Sequence, residues 1–250
     1  MSLRAHNLTL PGRLNGAALN LVPGQVTAIC GPNGAGKSSL LACLAGILAP
    51  ASGAVQLDGL GLATMPPRAR AQALGFLPQQ AEAAWDLSVE TLVGLGRLPW
   101  RTGAAQDRAA VDAALTALQL EDLRARPLSQ LSGGQRARAM LARVLAGTPR
   151  WLLIDEPLAG QDLAHQRSLL MHLRMLAAQG LGAAPGLGVV VVLHDLAQAM
   201  NYADAVAVMD GGAVVQLGAP EAVLDAATLR QVWGVEARWL GEPGARALAF

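Results

Sequence analysis

Apolar residues along this chain alternate between short unbroken runs and sets spaced for one face of a helix, with glycine or proline where the pattern changes. Residues 26–30 form a run suited to a buried parallel strand. A glycine-rich stretch follows, and Leu40, Leu41, Leu44 and Ala45 then recur at helical spacing up to Gly46. The order is strand, loop, helix. Residues 54–57 and the Asp58-Gly59 turn predict a small antiparallel β element. Between 87 and 148 strand signals fade: Val111, Leu115 and Leu118 mark one amphipathic helix, and Ala137, Met140, Leu141, Val144 and Leu145 mark another, closed by Gly147 and Pro149. Strands resume at 151–155, 188–193 and 205–209, with a helix through Leu169, Leu170, Leu173 and Leu176 between the first two. Asp210-Gly211-Gly212 signals a hairpin, 220–224 and 228–233 read as short terminal helices, and 180–188 is a linker rich in Gly, Ala and Pro. The pattern predicts an α/β sheet domain interrupted by a helical lobe.

Composition narrows the setting. At 250 residues the chain can bury one large core. Its hydrophobic share is 52%, yet the apolar runs, such as 189–193, fall far short of the roughly 20 residues that a spanning helix needs. Residues 1–10 carry no secretory pattern, so the expected location is cytoplasmic. Cys30 and Cys43 lack paired metal-ligand spacing and read as small hydrophobes. A net charge of +1 with interspersed signs argues against nucleic acid as a partner.

One cation stands apart. Lys37 is the only lysine among eighteen arginines, and it lies in Gly31-Pro32-Asn33-Gly34-Ala35-Gly36-Lys37-Ser38. A compact ammonium kept in a glycine-rich loop, where every other cation is a planar guanidinium, points to a phosphate site. A strand before the loop and a helix after it aim backbone N–H groups and the positive helix end at an anion. Lys37 would reach the outer phosphates of a nucleotide and Ser38 would place its hydroxyl on Mg²⁺; Ser39 is either a second polar contact or an exposed first-turn serine. Asp155-Glu156 closes an apolar strand where a parallel sheet presents its ligands; Asp155 suits a Mg²⁺-linked water and Glu156 a base. Leu131-Ser132-Gly133-Gly134-Gln135 precedes the second helix of the lobe, so Ser132 can cap while two glycines let backbone N–H groups approach an anion.

These three motifs, in this order, resemble the ATPase subunits of ABC transporters over nearly the whole chain. The resemblance implies a P-loop NTPase (RecA-like) core over about 1–85 and 149–250, with a small antiparallel β element and an inserted α-helical subdomain over about 86–148, all one ABC ATPase domain. It implies ATP and Mg²⁺ as cofactors: Gly31 to Ser39 cradle the nucleotide, Ser38, Gln79 and Asp155 serve the metal, and Glu156, His194 and Gln79 serve catalysis. Ser132, Gly133, Gly134 and Gln135, with Asp162, would act in trans on ATP held by a second copy. Gln79 resembles the Q-loop glutamine, with Gln80 beside it as the alternative register. His194 resembles the switch histidine and Asp162 the D-loop aspartate, although Ala159-Gly160-Gln161 replaces the commoner Ser-Ala-Leu. Many relatives stack an aromatic ring on adenine near the N-terminus. Leu8-Thr9-Leu10-Pro11-Gly12 has none, so adenine is expected to be held by apolar contact, with weak base selectivity.

Residues 87–97, ending in Leu95-Gly96-Arg97, resemble the lobe of ATPases that serve iron-siderophore, haem and cobalamin importers. The implied partners are a second copy of the chain, an integral membrane permease dimer and an extracytoplasmic substrate-binding protein acting through that permease. The implied place is the cytoplasmic face of the cell membrane, held peripherally. An exporter ATPase, or a soluble ABC ATPase outside transport, is the alternative.

Overall fold

The computed structural model of the chain describes residues 2–80, 85–158, 162–180 and 186–250. Ala159-Gly160-Gln161 and most of the 180–188 linker therefore lie outside the described residues. The elements in chain order are β1 (Leu3–Leu10), β2 (Leu14–Leu21), β3 (Val26–Cys30), α1 (Lys37–Leu44), β4 (Ser52–Leu57), β5 (Leu60–Gly61), α2 (Pro67–Ala73) and β6 (Leu74–Leu77). Next come α3 (Val89–Gly94), α4 (Ala104–Ala117), α5 (Gly133–Ala146), β7 (Trp151–Ile154), α6 (Leu163–Gln179), β8 (Gly188–Val192) and α7 (Leu196–Tyr202). The chain ends with β9 (Ala205–Asp210), β10 (Ala213–Gly218), α8 (Pro220–Val223), α9 (Ala226–Trp233), β11 (Arg238–Leu240) and β12 (Ala247–Ala249).

A six-stranded sheet of order β10-β9-β3-β8-β7-β6 is the centre of the molecule, parallel except for the β9–β10 hairpin. Every residue of β3, β7 and β8 is buried, because both faces of the sheet are covered. The two-residue period of a strand divides these runs between two cores. Ile29, Leu153, Val190 and Val192 pack with Leu40 and Leu41 of α1 and with Leu3, Leu8 and Leu14 of the first hairpin. Ala28, Leu152, Ile154, Val189 and Val191 pack on the other face, with Leu92, Leu115, Leu141 and Leu173 of α3 to α6.

The antiparallel element is wider than the sequence pattern predicts. It is a four-stranded sheet of order β2-β1-β4-β5, and residues 54–57 are one strand of it. β1 and β2 escape the pattern because alanine and asparagine dilute the alternation, although Leu14, Ala17, Leu19 and Leu21 all point inward. β6 escapes it because it follows α2 directly, with no glycine or proline between them.

A short segment ties the helical lobe to the core. The buried Arg97 side chain donates to Asp107 Oδ1 at 2.9 Å, to Thr102 Oγ1 at 3.0 Å and to the Ala146 carbonyl at the end of α5 at 3.0 Å. Trp100 Nε1 donates to the Gly147 carbonyl at 2.9 Å. From the core side, Arg68 and Gln72 of α2 both donate to the Pro99 carbonyl, at 2.6 and 2.9 Å.

Candidate active site

Four neighbouring parallel strands end on the same edge, and each is followed by one sequence-predicted group: the glycine-rich loop after β3, His194 after β8, Asp155-Glu156 after β7 and Gln79 after β6. Strand order alone brings together groups that lie up to 163 residues apart, counted from Gly31 to His194.

The loop is close-packed. Gly36 is the residue before α1, at φ 93°, and a methyl group there would collide with the Arg13 carbonyl. Gly34 takes φ 82° at the tip of the loop. Lys37, only 6% exposed, donates Nζ to the carbonyls of Gly31 and Pro32 at 2.9 Å each. Burial lowers the Lys37 pKa, and the nearby acids Glu156 and Asp155 and the Cys30 thiol offset part of that. Burial also raises Asp155, against the hydrogen bond from Ser38 and the charges of Lys37 and His194. Ser38 Oγ donates to Asp155 Oδ1 at 3.1 Å, so a hydroxyl and a carboxylate converge beside the loop. That donor pair suits Mg²⁺, which binds through one or two carboxylates and completes its shell with water and substrate phosphates.

Glu156 sits in the left-handed region at φ 47°. Its Oε2 accepts from Gln79 Nε2 at 2.6 Å, and its Oε1 lies 2.5 Å from His194 Nε2. Gln79, rather than Gln80, is thus the glutamine whose side chain reaches the acid. A cavity of about 320 Å³ is lined by Asn33, Gly34, Gly36, Lys37, Ser38, Ser39, Glu156 and His194 together with Gly12 and Arg13. Arg13 is the residue sequence reasoning missed. It follows the Pro11-Gly12 turn between β1 and β2, and nothing local in the sequence reveals that this turn packs against Gly36.

Ser132 to Gln135 and Asp162 do not line this cavity. They form a second group on the same chain. Ser132 Oγ accepts the Gln135 N–H at 3.3 Å and Gln135 Oε1 accepts the Ser132 N–H at 3.0 Å, a reciprocal cap on α5. Asp162 caps α6 through the His165 N–H at 2.9 Å and pairs with His165 Nδ1 at 2.7 Å. The His165 ring in turn lies against Gly134, where a methyl group would come within 2.9 Å of it. Cys30 is fully enclosed, its thiol pushed up to about 12, and takes no part in this chemistry.

The sequence profile of the ABC transporter family matches residues 14–159. The chain is 43% identical over 230 residues to the hemin import ATP-binding protein HmuV of Pseudomonas entomophila, covering 89% of this chain and 87% of that one. It is 40% identical over 256 residues to the HmuV of Bordetella pertussis, covering 97% and 96%. Among solved structures, CbiO1 of Clostridium perfringens, part of an ABC transporter complex, superposes with a TM-score of 0.80 at 29% identity over 92% of each chain. A metal-chelate type ABC transporter in an inward-facing conformation superposes with a TM-score of 0.82 at 25% identity, covering 99% of this chain and 95% of that one.

Proposed function

This chain belongs to the ABC transporter family, and on that premise we propose that it is the ATP-hydrolysing motor of a haem importer, working as a homodimer beneath a membrane permease. The observation that carries the reading is the meeting of Lys37, the Ser38–Asp155 pair and the Gln79–Glu156–His194 set on one cavity at the carboxyl edge of the sheet. The hemin-import relatives favour haem over the siderophores and cobalamin.

The chemistry follows from the groups present. Gly31 to Ser39 offer backbone N–H groups and the α1 terminus to the phosphates, and Lys37 offers its ammonium to the terminal pair. Glu156 takes the proton of the attacking water as the water oxygen bonds to the γ-phosphorus and the bridging P–O bond breaks, leaving ADP and phosphate. Gln79 and His194 hold the two Glu156 oxygens in place, and His194 also faces the charge that builds on the phosphate. Ser38 and Asp155 would hold Mg²⁺, which would supply positive charge to the phosphates.

Ser132 to Gln135 and Asp162, outside the cavity of their own chain, are free to meet ATP held by a second copy. ATP then favours a closed dimer and ADP an open one, and the permease follows that shift. Residues 86–148 form the lobe that meets the permease. Its groove of about 420 Å³, where Leu98, Trp100 and Val111 lie among the charged Glu90, Arg97, Asp107 and Arg108, offers a mixed apolar and charged seat, and Leu98 is 78% exposed. No helix among the described residues is long and apolar enough to cross a membrane. In this reading the chain attaches peripherally, at the cytoplasmic face.

The test is to trap tagged Glu156→Gln protein with MgATP on detergent-solubilised native membranes and identify what co-purifies. A many-helix permease whose reconstituted vesicles take up haem from an extracytoplasmic binding protein is the expected result. A permease that exports, or recovery of ribosomes or DNA without membrane protein, overturns it.

A further inference from the structure

We infer that His165 is a positioning residue for the reaction: it holds Asp162 with one edge of its ring and rests the other on Gly134, making one rigid unit of the two segments that act on a partner's ATP. The inference deepens the motor reading and rests on it. The two segments open different helices, Ser132 to Gln135 the helix α5 and Asp162 the helix α6.

Asp162 spends both carboxylate oxygens on one residue. Its Oδ1 accepts the His165 backbone N–H at 2.9 Å and its Oδ2 accepts from the ring Nδ1 at 2.7 Å. Those bonds, the backbone one foremost, hold the Asp162 carboxyl below the usual carboxylate range, so it is ionised and Nδ1 carries the proton. The ring is thereby fixed, and its far edge meets α5. A methyl group on Gly134 would lie 2.9 Å from His165 Cδ2 and 3.3 Å from Nε2. Gly134 lies in the first turn of α5, outside the left-handed region, so its backbone does not call for glycine. Within the chain, it is the approach of the ring that excludes a side chain there. At Gly133, one residue earlier, a methyl group would meet nothing within 4 Å.

The contact spans a gap. A cavity of about 290 Å³ adjoins it, lined in part by Gly134, Ala137 and Arg138 of α5 and by Ala164, His165 and Ser168 of α6. The first turns of the two helices thus leave space between them, and the His165 ring crosses it. On the α5 side the reciprocal bonds of Ser132 and Gln135 stiffen the loop, so a constraint on Gly134 is passed to all four residues. The Asp162 side chain stays 65% exposed, so the ring positions it without covering it. Two segments that arrive already in register lose less freedom on docking than two that must be ordered separately.

The experiment replaces His165 by Ala, Asn or Phe in the Glu156→Gln background. It reads MgATP affinity of the dilute monomer, the dissociation constant of the MgATP dimer by sedimentation and the thermal midpoint, with kcat taken on the otherwise unaltered chain. His165→Ala removes both contacts, His165→Asn keeps a donor for Asp162 but is too short for Gly134, and His165→Phe keeps the ring without the donor. The backbone N–H that Asp162 caps survives in all three, so each is expected to fold. His165→Ala is expected to leave monomer MgATP affinity unchanged and to weaken the dimer about tenfold, near the lower end of what a hydrogen bond to a charged group is worth, with a matching fall in kcat. His165→Asn and His165→Phe should each recover only part of that loss. An unchanged dimer and kcat in His165→Ala would overturn the inference, as would weakened monomer affinity or full recovery by either Asn or Phe alone. A Glu156→Gln parent that binds no MgATP, or binds it without dimerising, overturns the motor reading first and the inference with it.

Discussion

Glu156 is held at φ 47°, a backbone conformation that costs a non-glycine residue on the order of 1 kcal/mol, and both its carboxylate oxygens are engaged. Glu156→Gln keeps size and conformation but removes the proton acceptor, so it should bind MgATP normally and lose turnover by about 100-fold or more in a phosphate-release assay. Asp155 carries the opposite trade. Its pKa is raised above the ordinary 3.8, so the native state binds the proton more tightly than the unfolded chain. Stability of the free protein therefore falls as pH rises from that ordinary value through the raised one, and is flat above it. Asp155→Asn should abolish this slope, raise the thermal midpoint at neutral pH and abolish Mg²⁺-dependent hydrolysis; melting curves across pH 4 to 8 would show it. The Asp155-Glu156 pair was legible because an apolar run ends on it. The engagement of Gln79 with Glu156 was not, because it depends on β6 lying beside β7, which is a matter of sheet order.

Helix α5 is anchored at both ends. Ser132 caps its start and Arg97 holds its final carbonyl, so Ser132 and the residues beside the lobe's groove share one rigid element. Ser132→Ala should lower stability by about 1 kcal/mol, or roughly 2–4 °C in midpoint, through loss of the cap alone. If Ser132 also meets ATP in trans, turnover should drop far more than that loss of stability explains, with MgATP affinity of the monomer unchanged. Arg97→Ala removes the donor to the buried Ala146 carbonyl and leaves Asp107 with the Thr102 hydroxyl alone, and should cost about 2 kcal/mol by chemical denaturation. The helices around Val111 and Met140 were readable from their 3.6-residue period. Arg97 was readable only as the end of a resembling segment, because its partners, Ala146 among them, lie up to 49 residues away. The first hairpin was missed for a local reason, since its inward positions include the small Ala5 and Ala17, which dilute the alternation.

At the scale of the whole chain, the parallel strands and the motifs after them declared the architecture, whereas the wall of the cavity contributed by the distant Pro11-Gly12-Arg13 turn did not. Glu156→Gln with MgATP should sediment as a dimer of the 25.7 kDa chain and return to monomer on chelation of the metal. The enclosed Lys37, tied to the Gly31 and Pro32 carbonyls, lends the molecule one more property. A protease that cuts only after lysine has a single target in 250 residues, and that lysine is buried. Intact chain, digested slowly into residues 1–37 and 38–250, becomes a one-site clock for opening of the nucleotide-binding core. The clock should slow in proportion to any bound nucleotide and run fastest in variants that loosen the Gly36 contact.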